Sequence, residues 1–245
     1  MTVQAKNFNE ILHYRRSVRK FDPSKPIDTT IVKECIEKAT LAPNSSNMQL
    51  WEFHHVVSQE KLEKLSKNCF DQSASKTAQQ MIVVVVRKDL WKQRKKAHIS
   101  HLTNIFGNKP FSQYSNREKM AQQYYKKIVP LAYFDFFGIV GYLKYVLFWV
   151  IGLFRPIYRQ ARNSDMRIVV HKSAGLAAQT FMLSMTDVGY DTCPMEGIDS
   201  LRIKRMLDLP FRAEINMVIA CGIRLEEGIY GDRFRIPFDE VYKKW

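Results

Sequence analysis

The run Met81-Ile-Val-Val-Val-Val86 contains no polar side chain. Its β-branched residues suit a pleated strand, and the lack of polar alternation means that both faces of that strand must be covered. An open sheet with one wet face cannot hold it, so the fold needs at least one layer on each side of a central strand. The run Ile215 to Cys221, within Glu214 to Ile223, is a second candidate for such a strand. Trp51 to Val57 is a third, shorter one.

Helical signals separate these strands. Asn7 to Tyr14 places Phe8, Ile11 and Leu12 on one face. Asp28 stands as an N-cap before Ile31, Cys35 and Ala39 at i, i+4, i+8 spacing, and that helix must end before Pro43. Ile168 to Val188 is rich in Ala, Leu, Met and Gln and stops at Gly189, the pattern of a long, mostly buried helix with a glycine past its end. Asp199 to Leu209 reads as a further helix closed by Pro210. No repeat or low-complexity tract interrupts this mixed αβ pattern.

The segment between Lys88 and Arg167 differs. It holds fifteen Lys and Arg against four Asp and Glu, and so supplies +11 of the chain's net +14. It is polar and basic to about Lys127. From Leu131 to Phe154, 24 residues then carry only two charges, Asp135 and Lys144, among nine aromatic side chains. Length and apolarity suit a membrane span. However, strands and helices of one domain on either side would be divided by the bilayer, so the segment must return to the side it left. Gly138 and Gly141 offer a bend. The expected domain is therefore 1–87 with 168–245, and 88–167 is an insertion. That insertion is a lid, a dimer arm, or an element lying on an anionic membrane surface through 128–162, where Lys126, Lys127, Arg155, Arg159 and Arg162 flank the apolar stretch. Its aromatics are massed in a block instead of interleaved with Lys and Arg, so no nucleic acid is expected.

The residues suited to chemistry fall outside the insertion. Arg15, Arg16, Ser17 and Arg19 form a fork of donors for a phosphate. Ala42-Pro43-Asn44-Ser45-Ser46-Asn47-Met48-Gln49-Leu50-Trp51 is a loop of amides and hydroxyls suited to the edge of a heteroaromatic ring. Cys193-Pro194-Met195-Glu196-Gly197 follows a short strand, and its glycine permits close backbone approach. Arg233 and Arg235 add two late cations.

In this order, these segments resemble the nitroreductase family of FMN-dependent enzymes: an R-R-S-x-R opening, an A-P-S-x-x-N-x-Q-P-W loop, a P-x-E-G turn and a late basic pair. The resemblance covers about 1–87 and 168–245. It implies a three-layer α+β fold with a mixed sheet covered by helices, a homodimer, and FMN at the subunit interface. Arg15, Arg16, Ser17 and Arg19 would then hold the phosphate and ribityl chain, with Arg233 and Arg235 closing around the phosphate. Pro43, Asn44, Ser45 and Asn47 would come from the partner subunit to the isoalloxazine. Pro194 and Met195 would pack on the ring, and the backbone of Glu196 and Gly197 would lie near flavin N5. The implied reaction is a ping-pong hydride transfer from NAD(P)H through N5 to a nitroaromatic, quinone or similar small-molecule acceptor. The alternative is a membrane-surface flavoprotein that reduces a lipophilic quinone. Leu50, where the family usually has proline, and Asn44, where serine is common, depart from the pattern.

Other motifs are excluded or ordinary. Neither G-x-G-x-x-G nor a G-x-x-x-x-G-K-[ST] loop occurs. Cys35, Cys69, Cys193 and Cys221 lie far apart, which predicts buried thiols in a reducing cytoplasm. Met1 to Glu10 lacks the apolar core of a secretory signal. His98 and His101 lack a third ligand, so no metal is expected. His54, His55 and His171 fit structural roles.

Overall fold

The computed structural model describes residues 7–245. Met1–Lys6, part of the stretch read for a targeting signal, lie outside the described residues. In chain order the elements are α1 (Phe8–Tyr14), α2 (Thr29–Ala39), β1 (Trp51–Val56), α3 (Gln59–Asn68), α4 (Ser73–Thr77) and β2 (Gln80–Val86). Then follow α5 (Trp91–Ile105), α6 (Asn116–Gln123), a π-helical turn (Tyr124–Ile128), α7 (Val129–Tyr133) and α8 (Ile139–Ile151). The last are α9 (Asn163–Asp187), β3 (Asp191–Met195), α10 (Ser200–Met206), β4 (Glu214–Gly222) and α11 (Phe238–Val241).

The strands form one sheet in the order β1-β2-β4-β3, so both apolar runs occupy its centre. All seven residues of β2 are buried. Ile82, Val84 and Val86 face a core shared with α2 and α9, while Met81, Val83 and Val85 face a second core with α3, α4 and α10. This three-layer arrangement is the one that the sequence demanded. The sheet itself departs from the expected mixed type: β1, β2, β4 and β3 all pair antiparallel. Double burial requires only that helices cover both faces, and here they do so without parallel crossovers. The one parallel pairing among the described residues is an isolated bridge, Ser17 with Thr192, that ties the Arg15–Arg19 segment to the edge strand β3.

Local signals acted as expected at several ends. Asp28 accepts from the Thr30 amide at 2.6 Å and caps α2. Asn7 and Glu10 form a capping box on α1. Gly189 adopts φ +82° just past α9. That helix begins at Asn163, five residues before Ile168, because the Asp165 carboxylate in its first turn accepts from the Arg162 amide at 3.0 Å and from Arg162 Nε at 3.1 Å. The expected insertion boundary therefore falls inside α9.

Leu131–Phe154 is broken in two. Asp135 accepts from the Gly138 amide at 2.8 Å and the Gly141 amide at 2.7 Å, and Gly138 takes φ +84°, so the chain turns between α7 and α8. No helix among the described residues is long and apolar enough to cross a membrane. The four cysteines are free and buried. Burial pushes the Cys35 thiol up to about 11 and the Cys69 thiol up to about 12, so both stay protonated.

Candidate active site

Arg15, Arg16, Ser17 and Arg19 follow α1 directly, and the fold brings Arg233 and Arg235 to them from the far end of the chain. Together these six residues line one cavity of about 240 Å³. Tyr230, Asp232 and Phe234 complete its wall, and sequence reasoning had singled out none of the three.

Several contacts fix the grip in place. The Val18 amide donates to the Thr192 carbonyl at 3.1 Å, and the Arg19 amide donates to the Gly228 carbonyl at 2.6 Å. Gly228 has to be glycine, because a Cβ there would stand 2.4 Å from the Lys20 carbonyl oxygen. The Arg16 guanidinium donates to the carbonyl of Gly231 at 2.8 Å. Arg224 completes the frame: its Nε donates to buried Asp191 at 2.9 Å, and its guanidinium lies 4.0 Å from the Tyr14 ring centroid. Arg224 and Asp191 were not anticipated, since only the pairing of β3 with β4 brings them together.

The two late arginines divide their work. Arg233 donates to the carbonyls of Leu12, His13 and Arg15, at 3.0, 2.9 and 2.6 Å, and so satisfies the C-terminal end of α1. Its guanidinium is thus largely spent on the backbone. Arg235 makes only a local bond to the Phe234 carbonyl at 2.7 Å. Burial, then the charges of Arg233, Arg235 and Arg16, lower the pKa of Arg15. Cations gathered against their own repulsion form a site for an anion.

The loop Pro43–Asn47 lies elsewhere: Ser45 and Ser46 line a different cavity from the arginines. Three residues here, Ser46 at φ +54°, Asn47 at +49° and Gln49 at +48°, sit in the left-handed region, at a cost on the order of 1 kcal/mol each. Such a shape persists only where its surroundings over-determine it. Asn44 Oδ1 accepts from the Gln49 amide at 2.8 Å, and the Ser45 amide donates to Ser173 Oγ on α9 at 3.3 Å. Ser46 Oγ and Tyr124 OH are 2.6 Å apart, and Tyr125 OH donates to the Ser46 carbonyl at 3.0 Å. His98 Nε2 reaches the Asn47 carbonyl at 2.6 Å while its ring stacks on Tyr125 with centroids 4.6 Å apart.

His98 is therefore committed to bracing this loop and does not stand as a solvated histidine. Among the described residues no group of His, Cys, Asp and Glu could hold a metal. The segment between Lys88 and Arg167 clasps the loop through His98, Tyr124 and Tyr125. A pair of tyrosines in a basic stretch was the only visible sign of this. Of the two departures noted above, Leu50 is buried in the core beside α2 and α9, and the Asn44 side chain braces the turn itself.

At the end of β3, alternation separates Pro194 from Met195. Pro194 is half-buried, whereas Met195 is 2% exposed and packs into the core under the sheet. Of the pair expected against a ring, Met195 is thus committed to the core, because strand geometry turns it to the opposite face. Glu196 and Gly197 are exposed, and Gln72 Nε2 holds the Gly197 carbonyl at 2.8 Å. His54, His55 and His171 are structural, as expected: His55 meets Gln80 at 2.7 Å, His54 meets Glu52, and His171 meets Glu214 and Asn216.

The donor set, an exposed cavity lined by five arginines and a serine hydroxyl, fits a phosphate-bearing ligand. The family model described as the nitroreductase family matches residues 12–223. Protein DrgA of Synechocystis sp. is 22% identical over 218 residues, covering 89% of this chain and 84% of that protein. The solved structure of ydfN from Bacillus subtilis superposes with a TM-score of 0.73 at 23% identity, covering 97% of this chain and 98% of that one. A structure from Exiguobacterium sibiricum, solved in complex with FMN, superposes with a TM-score of 0.68 at 22% identity over the whole of both chains. With a family match spanning both apolar strands, the arginine grip and the glycine turn, this chain belongs to the nitroreductase family.

Proposed function

We propose that the protein is an FMN-dependent oxidoreductase that uses NAD(P)H to reduce a small-molecule acceptor such as a nitroaromatic or a quinone. The observation that carries this reading is the cavity in which Arg15, Arg16, Ser17, Arg19 and Arg235 converge. Its volume and charge suit a phosphate group, and charge-assisted bonds from guanidinium groups are the strong class of hydrogen bond. Bound FMN supplies hydride exchange at N5, which lets NAD(P)H and the acceptor react in two separate half-reactions. In this reading the chain's own residues bind and orient. Arg15, Arg16, Ser17 and Arg19 hold the phosphate, and Arg233 locks α1 so that the grip keeps its shape. Pro194 and the backbone of Glu196 and Gly197 border the ring.

The active form is a homodimer in this reading. Arg15–Arg19 and Ser45–Ser46 line separate cavities of one chain, so Pro43, Asn44, Ser45 and Asn47 meet the ring from a second copy. FMN titration tests the cofactor: the purified protein takes up one FMN per chain and becomes yellow, and Arg19→Ala or Arg235→Ala weakens that uptake by about tenfold or more. A wild-type protein that takes up no FMN would overturn the proposal.

A specific feature favours a second role, contact with an anionic membrane surface. Leu143, Val146, Leu147, Trp149 and Val150 on α8 are all exposed, while Lys127 and Arg155 lie exposed beside them. Basic residues near such a surface contribute roughly 1 kcal/mol each. Flotation with anionic vesicles that Leu143→Ser/Leu147→Ser does not reduce would count against it.

A further inference from the structure

Beneath α8 lies a second cavity, of about 520 Å³ and distinct from the arginine site. That volume is in the range of small-molecule sites. Leu131, Phe148, Ile151, Ile157 and Met166 give it apolar walls, and it reaches Ser45 and Ser46 of the strained loop.

Tyr133 and Arg155 are polar residues on its lining whose side-chain groups stay unspent. Tyr133 is 8% exposed, and its buried hydroxyl has no hydrogen-bond partner. At the rim, the Arg155 side chain makes no hydrogen bond or ion pair among the described residues. Burial, then the neighbouring Tyr124 and Tyr158, push the Tyr133 pKa up, so its hydroxyl stays protonated. Both groups can donate. A ligand that brings acceptor oxygens and negative charge satisfies the two together, and the walls ask for an apolar body. Tyr124 and Ser46, by contrast, already satisfy each other.

We propose that this cavity binds an amphiphile of the alkyl carboxylate class, its chain among the apolar walls and its carboxylate met by Arg155 and Tyr133. Its use as the seat of a reducible acceptor rests on the flavin reading, because Ser45 and Ser46 belong to the loop assigned to the ring. Binding itself does not depend on that reading.

The test is calorimetric titration of the full chain with octanoate, decanoate, dodecanoate and hexadecanoate below their micellar concentrations, and with dodecanol as the uncharged control. Affinity is expected to rise by about fourfold per methylene and then level off once the pocket is full. Arg155→Gln should weaken dodecanoate by about tenfold and leave dodecanol unchanged, and Tyr133→Phe should weaken dodecanoate roughly threefold. Ala132→Trp, which fills the pocket from α7, and Ile157→Trp, from another wall, should each abolish saturable binding with helical circular dichroism retained.

Affinity that climbs with chain length without levelling, or binding indifferent to both tryptophans, would overturn the proposal and place the chains on the outer face of α8. FMN uptake is measured on the same samples. Dodecanoate binding without FMN uptake would break the flavin reading alone, and FMN uptake without dodecanoate binding would break the pocket alone.

Discussion

The strand β2 and the helix α8 are both strongly apolar, and they sit in opposite places. Every residue of β2 is buried, with helices on both faces. In α8 the buried residues are Gly141 and Lys144. Its single charge points inward, where Lys144 Nζ donates to the carbonyls of Leu131 and Phe134 at 2.8 Å each, and most of its apolar side chains point out. Leu143, for instance, is 66% exposed. Hydrophobic content says that a segment seeks an apolar neighbour. It does not say whether that neighbour lies within the fold or outside it. Contiguous exposed patches of this kind mark surfaces that meet something else.

The contrast can be broken most sharply by placing a charge on each element. Val84→Asp buries an unpaired carboxylate in the sheet and is expected to prevent folding or to cost several kcal/mol. Leu143→Asp should change stability by less than about 0.5 kcal/mol. Denaturant unfolding of both variants decides it. Equal losses would mean that the outer face of α8 is already covered in solution.

Lys144→Met keeps the helix apolar but removes the donor from two carbonyls at the end of α7, for an expected loss of about 1–3 kcal/mol. Protease resistance around Phe136 and Phe137 should fall with it. Unchanged stability would mean that the inward lysine does not anchor the hairpin.

Arg15→Gln sharpens the contrast from the side of the core. Removing one of several mutually repelling cations should leave the free protein as stable or slightly more so, by up to about 1 kcal/mol, while phosphate or FMN binding weakens. A clear loss of stability would mean that the arginine cluster is structural.

The smallest expected effect is in pH. Burial lowers the pKa of His55 on β1, so the fold favours its neutral form. The unfolded chain then binds the extra proton first, and stability rises with pH in that window. The His55 contribution is complete above about pH 6.5 and is lost as pH falls below it. His55→Gln should flatten this slope in thermal unfolding, and an unaltered slope would assign the dependence elsewhere.

How much was legible in the sequence follows from range. Asp28 capping α2, Gly189 ending α9 and the double burial of Met81–Val86 all rest on short-range rules, and each appears in the structure. The arginine grip was legible because Arg15 to Arg19 are adjacent, and the family resemblance joined Arg233 and Arg235 to them. The partners that hold the Ser45–Asn47 turn were not legible. Ser46 and Tyr124 stand 78 residues apart, and no local pattern pairs them. Nor could the pairing pattern of the sheet be read, since an apolar strand is equally satisfied by parallel or antiparallel neighbours.

By itself, then, the sequence determined that an apolar central strand must be covered on both sides, that a cluster of cations follows the first helix, and that most of the chain's positive charge sits apart, between Lys88 and Arg167. Periodicity, capping and charge density are properties of neighbours along the chain. Only the tertiary structure decided that Met195 turns into the core, that Arg233 is spent on the end of α1, that His98 braces the loop, and that α8 carries its lysine inside and its leucines outside. Those outcomes depend on which backbone carbonyls and apolar walls meet across distant parts of the chain, and chain packing alone sets them.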